Sequence, residues 1–315
     1  MGEIVKKRKN ISRYLVIFII IIVTIVYMVP LIYIVTTSFK SWSDVQKVPP
    51  TITFKPSIGS YIRIFTSRVV YPTGTEFTEE ELANMKWYER ILYHETYEKF
   101  VRIGDLPRRY LNSVIIATIS TVLTIVLGTM AAYGFSRFKI RGRDDLLFFI
   151  LSTRMLPPVV VIIPVFLMFR ALNLTDSHLT LILLYTAFNV SFAVWVLRGF
   201  IDEIPIEYEE AAMVDGYTRF QAFRKIVVPQ ASTGIAATAV FCFIFAWNEY
   251  AFALVLSRRV AQTVPAWLPY QMGVLGYDWA AAAAGTFLFL LPAMIFTIIL
   301  RNHLVRGITF GAIRK

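Results

Sequence analysis

The chain has 315 residues, of which 57% are hydrophobic and only 17% charged, and the apolar residues gather in long uncharged runs that a water-facing surface would not carry. Basic residues outnumber acidic ones by 32 to 21; with no basic patch interleaved with aromatics, this excess fits loops held against anionic lipid rather than nucleic acid. The single cysteine, Cys242, excludes an internal disulfide and a cysteine metal cluster.

Crossing about 30 Å of hydrocarbon at a 1.5 Å rise takes roughly 20 apolar residues. Six segments are that long, at 14–39, 110–136, 146–169, 177–198, 232–255 and 279–300, so an all-α integral membrane protein is predicted. Apolar and polar residues do not alternate in them as they would in barrel strands. Residues 1–13 carry Lys6, Lys7, Arg8, Lys9 and Arg13 ahead of an apolar run too long for a cleaved signal, which is kept as the first span.

The segment 40–109 opens with a proline-marked extended stretch at 48–56 and continues into 76–100, where Leu82, Met85 and Leu92 share a helical face among many glutamates. A solvated surface helix is predicted there in preference to a docking element for an extracytoplasmic partner. The third span holds Arg154, about 14 Å along the helix from Asp145 by the 1.5 Å rise, together with Pro157, Pro158 and Pro164, which are expected to interrupt it. Broken helices at membrane depth face protein or a wet cavity, and a buried charge is a functional candidate unless it snorkels to the interface. Arg154, Pro157, Asn248 and Glu249 are therefore candidates for a translocation path, with a helix-capping role weighed beside solute contact for Glu249.

Counting Lys and Arg in the short loops and ends sets the orientation. Seventeen fall on the side of residues 1–13, the loop after 136, the loop 199–231 with Arg198 at its edge, and the tail 301–315; three, Arg170, Arg258 and Arg259, fall on the other. Both termini are expected to be cytoplasmic and the loops 40–109 and 256–278 extracytoplasmic.

The loop 199–231 is the most informative part of the chain. Pro205 suits a first helical turn, Glu207, Glu209 and Glu210 complement the positive end of the helix dipole, and Gly216 breaks the helix. A second short helix from about Arg219 places Phe220 and Phe223 on one face, and Pro229 is expected to bend the chain into the fifth span. The result is a compact helical knob.

Within it, Glu210-Ala211-Ala212, then Gly216, Ile226, Val228 and Pro229 at fixed spacing resemble the signature loop of ABC importer permeases, whose pattern is EAA, three residues, G, nine residues, I, one residue, LP. Only Val228 departs from it, replacing one apolar side chain with another. Met155-Leu156-Pro157, Trp247-Asn248-Glu249-Tyr250, Asp278-Trp279 and the end from Arg306 to Arg314 are similar to the carbohydrate branch, in particular the maltose-type second permease. The resemblance covers most of the chain except about 67–109.

It implies the ABC importer permease fold, with Glu210, Ala211, Ala212, Gly216, Ile226 and Pro229 coupling to an ATPase. It also implies a second permease subunit of the maltose type, an ATPase dimer that binds ATP and Mg, and an extracytoplasmic solute-binding protein contacted by the loop around Tyr270, Gln271, Gly273 and Gly276. No cofactor is expected in this chain, since none of its fifteen glycines precedes a lysine as a phosphate-cradling loop requires. The expected function is alternating access for a neutral, hydroxyl-rich solute, with no covalent chemistry. An ion-coupled secondary transporter is the alternative, disfavoured because Arg154 is the only charge inside the apolar runs, the fifth of which lies between Lys225 and Glu249, whereas ion coupling calls for carboxylates within the spans. A membrane enzyme would need clustered ligands, whereas His94, His178 and His303 are scattered.

Overall fold

The computed structural model describes the backbone of residues 2–273 and 276–310 and the side chains of 14–271 and 276–299. The basic side chains at the two ends, residues 311–315 and the tip 274–275 of the loop 256–278 lie outside the described residues. Four single helices are long and apolar enough to cross a membrane: Tyr14–Ser38, Leu106–Arg137, His178–Asp202 and Trp279–Ile299. Two bent pairs, Arg143–Met155 with Pro158–Ala171 at 91° and Arg219–Gln230 with Ser232–Trp247 at 75°, bring the number of candidate spans to as many as six.

Each bend has a local cause. Leu156 and Pro157 are extended (ψ 124 and 130), as residues preceding a proline prefer, and Pro158 opens the next helix, where its missing N–H is no loss. Pro164 does not interrupt the span as expected. It sits inside Pro158–Ala171, because one proline removes a single backbone bond and the surrounding turns keep theirs. Pro229 likewise does not make the bend into the fifth span. It lies within the helical turn Val228–Gln230 behind a π-turn at Phe223–Val227, and the bend follows at Ala231. With no N–H on Pro229 to reach back, the N–H of Val228 closes onto Phe223 O, widening the turn. The fifth span is also not continuous over 232–255: Ser232–Trp247 stops at Asn248 and Ala251–Leu256 starts afresh. The last helix runs through Phe310, past the boundary expected at 300, since no proline follows Arg301 and a lone glycine is tolerated in a helix.

The chain divides into two compact units, residues 1–105 with 270–288 and residues 106–269 with 289–315. In the second, Leu106–Arg137 and His178–Asp202 approach closely: a Cβ on Gly128 would lie 2.7 Å from Ala193 Cβ. Small residues at such a crossing let helices gain the dispersion contacts that lipid does not supply. Ala132, Tyr133, Leu197, Ile201, Phe223, Val227 and Cys242 fill the adjoining core. The helix ends around Asp176 and Asn112 are held by polar contacts. Asp176, in a left-handed turn (φ 57), accepts the backbone N–H groups of Arg258, Arg259, Val260 and Ala261 at 2.9–3.2 Å. Burial pushes its carboxyl up, but the four N–H donors outweigh this and hold it below the usual carboxylate value. Asn112 donates to Val260 O and Gln262 O at 2.8 and 3.0 Å and meets His178 Nε2 at 2.8 Å.

In the first unit the helix expected at 76–100 is two shorter ones, Glu79–Asn84 and Trp87–Thr96, and the chain beyond is a strand. The Thr78–Glu81 capping box starts the first; Tyr97, left-handed at φ 55, ends the second. Glu98–Ile103 then pairs antiparallel with Thr66–Val70, a pairing distant in sequence that the glutamate-rich composition hid. Tyr71, Phe77 and Tyr93 pack edge to face beside it. Arg63, its side chain fully buried, pairs with Asp278 at 2.7 Å and with Glu95. This ties Asp278, at the start of the last helix, to the segment 57–105.

Gly128→Val, which must push Ala193 aside, is expected to lower the stability of the purified protein by about 1–3 kcal/mol. Gly134→Val, where no atom lies within 4 Å, is expected to cost less. Thermal unfolding in detergent measures both, and equal losses would show that the 128–193 approach is not a tight contact.

Candidate functional site

The knob predicted at 199–231 consists of Glu207–Val214, a turn at Gly216, and Arg219–Ala222. Gly216 has φ +89 with open space around its Cβ position, so the glycine serves the backbone and not a tight fit. Thr218 and Gln221 cap the second helix reciprocally. Phe220 and Phe223 adjoin at 6.2 Å as expected, but Phe223 is buried in the core while Phe220 is exposed.

The candidates in the knob do not share one surface. Glu210, Ala211, Gly216 and Pro229 are exposed, Ile226 is half-buried, and Ala212 is buried. The small size of Ala212 therefore serves packing within the subunit and is not offered to a partner, as the sequence pattern had suggested. Tyr208, Val214 and Phe220 extend the exposed face with large apolar side chains, an arrangement suited to contact with another protein.

The residue that anchors the knob was taken from the sequence only as a helix-dipole acid. Glu209, 3% exposed, accepts from Arg137 Nε at 2.5 Å and Tyr133 OH at 2.7 Å, and Arg137 Nη2 also donates to Ile204 O at 2.7 Å. Arg137 closes the helix Leu106–Arg137, so the knob is bolted to the end of the second span through a buried ion pair. Its place one residue before Glu210 on a helix, hence on a different face, was the available signal.

The path candidates separate in the same way. Arg154 and Glu249 line one cavity of about 240 Å³ with Tyr185, Phe188, Asn189 and Phe245. Pro157 precedes the bend, and Asn248 turns back to Ile244 O at 2.9 Å; neither lines the cavity. Glu249 accepts from Tyr185 OH at 2.9 Å and caps Ala251–Leu256 by accepting Phe252 N–H and Ala253 N–H. Capping and cavity lining are therefore both its lot. In the loop 256–278 Tyr270 is exposed, Gln271 is half-buried with its O accepting Asp278 N–H at 3.0 Å, and Gly273 pairs with Gly276 (φ +112) in a short hairpin.

Residues 124–309 match the family described as binding-protein-dependent transport system inner membrane component. The chain belongs to that family. It is 30% identical over 293 residues to the probable ABC transporter permease protein y4oR of Sinorhizobium fredii, covering 93% of this chain and 92% of the relative. It is 31% identical to the diacetylchitobiose uptake system permease protein DasC of Streptomyces coelicolor (77% and 87% covered) and 37% identical to the trehalose transport system permease protein SugB of Mycobacterium tuberculosis (67% and 78%). In fold it is similar to a chain of a bacterial ABC transporter that imports the acidic polysaccharide alginate, with TM-score 0.66 at 21% identity over 93% of this chain and 96% of that one. The permease is thus a multi-pass inner membrane component of an ABC importer. The ion-coupled alternative falls with that assignment.

Removing one partner of a buried ion pair costs about 3–5 kcal/mol, because it strands the other charge. Arg137→Met is expected to destabilise the permease on that scale, and the double variant Arg137→Met, Glu209→Leu less than Arg137→Met alone. A double variant that melts lower than the single one would show that the pair is not an energetic unit.

Proposed function

We propose that this permease forms half of the membrane path of an importer for a sugar, polyol or related hydroxylated solute, and that the knob transmits the movement of an ATPase dimer to it. The observation that supports the reading best is the two-sided construction of the knob. Its inner side is fixed by Glu209, Ala212, Phe223 and Val227; its outer side presents Glu210, Ala211 and several large apolar residues around a rigid left-handed glycine. A lever needs both a fixed root and an accessible tip.

On this reading ATP and Mg are bound by the ATPase subunits and this chain holds no cofactor. A second permease subunit of the maltose type completes the path, and a solute-binding protein delivers the solute against the loop of Tyr270, Gln271, Gly273 and Gly276. The sugar class is supported by the relatives named for diacetylchitobiose and trehalose uptake. Both termini and the knob lie in the cytoplasm, as the basic loops indicate.

Gly216→Val should abolish solute uptake and the stimulation of ATP hydrolysis by loaded binding protein in vesicles, because a β-branched side chain is strained at φ +89. Glu210→Gln should impair both less, since an exposed ion pair is worth about 0–1 kcal/mol. Normal uptake and stimulation in Gly216→Val would remove the coupling role.

For orientation, cysteines at Ile52 and Val214, which are 93% and 87% exposed, separate the two sides in a Cys242→Ala background. An impermeant thiol reagent added to cells with a permeabilised outer envelope should label the first and spare the second. The reverse pattern would invert the topology.

A further inference from the structure

The cavity at the broken third span is built for more than a passing neutral solute. Arg154 places its guanidinium over two aromatic faces, 5.0 Å from the Phe192 centroid and 4.3 Å from that of Phe245. Those contacts offset part of the cost of a cation at membrane depth, but they occupy none of its N–H donors. Its Nη1 is buried with no hydrogen-bond partner, and no carboxylate pairs with it among the described residues. Arg154 as a whole is half-buried, but an enclosed donor of a cation left in that condition is costly unless an acceptor meets it.

The carboxylate that shares the cavity does not answer that need. Glu249 uses three of its about four acceptor positions on Tyr185 OH and the N–H groups of Phe252 and Ala253, so its orientation is set by those contacts, and among the described residues it makes no ion pair with Arg154. Asn189 donates to Cys242 O. What the cavity offers a visitor is therefore one planar cationic fork beside the apolar rings of Phe188 and Phe245. A guanidinium matches the paired oxygens of a carboxylate, sulfonate or phosphate, and flat apolar rings suit the C–H face of a pyranose. At about 240 Å³ the space within this chain is below the roughly 300–1,000 Å³ of pockets for drug-sized ligands and is of a size to take one ring.

We propose that this cavity is a solute subsite within the permease, in which Arg154 holds the anionic group of an acidic sugar ring between aromatic walls. The proposal rests on the importer reading above and narrows its solute class from neutral to acidic.

The test uses the whole importer, this chain with its partner permease and ATPase subunits, in nanodiscs without ATP or binding protein. Equilibrium dialysis with labelled D-glucose, D-glucuronate, glucose 6-phosphate and 6-sulfo-6-deoxyglucose compares four rings of one size that differ in charge and in the anionic group. At least one acidic ring is expected to bind about tenfold tighter than glucose, the scale of a charge-assisted hydrogen bond, and the arm that binds names the anion. Arg154→Gln is expected to abolish that preference, Arg154→Lys to keep part of it, and Lys55→Gln, which removes an exposed charge outside the cavity, to leave it in place. Glucose binding as well as the acidic rings, no binding by any probe, or a preference that survives in Arg154→Gln would each overturn the proposal. So would an Arg154→Gln complex that loses its partner permease, which would assign the guanidinium to a carboxylate across the subunit interface. Failure of the importer reading looks different: no ATPase subunits would co-purify with the wild-type chain.

Discussion

Hydrocarbon offers a backbone nothing to bond to, so each peptide group in the spans must find its partner inside the protein. Long apolar runs such as Tyr14–Ser38 and Leu106–Arg137 meet the demand by remaining helical throughout. The consequential places are those where a helix stops short. At Pro157–Pro158 the ring nitrogens remove the donors that would go unpaired. At Asn248–Tyr250 the Glu249 carboxylate takes the first free N–H groups of the next helix. Both breaks border the same cavity, so the devices that make interruption tolerable also bring charge and aromatic surface together in it.

Burial of charge recurs at the ends of the spans and does structural work in each unit. Glu209 with Arg137 and Tyr133 fixes the knob to the second span, and Arg63 with Asp278 and Glu95 ties the start of the last helix to the segment 57–105. Such pairs gain little over well-packed apolar residues, but losing one partner is severe. They therefore specify where a loop sits more than they add stability.

Arg154 stands apart from these pairs. Among the described residues it has aromatic neighbours and no paired acid, and the glutamate that shares its cavity serves as a cap. A family in which the solute is handed through the membrane without covalent change has few chemical means of selection beyond shape, hydrogen bonding and charge, and a cation in the wall supplies the third.

Hydropathy alone revealed the spans, because 20 apolar residues in a row have no other physical use in so basic a chain, and the spacing from Glu210 to Pro229 disclosed the knob through local turn and cap preferences. Those properties are read from neighbours a few residues apart. The split helix and strand pair in 57–105 and the tolerance of Pro164 were not legible, nor was the inward turn of Ala212. Neither were the partners of Glu209, which lie 72 and 76 residues away, nor the joining of Arg154 and Glu249 in one cavity. Each depends on which distant segment packs against the residue in question, and a charge or a small side chain has the same local signature whether it meets water, lipid or a partner brought close by the fold.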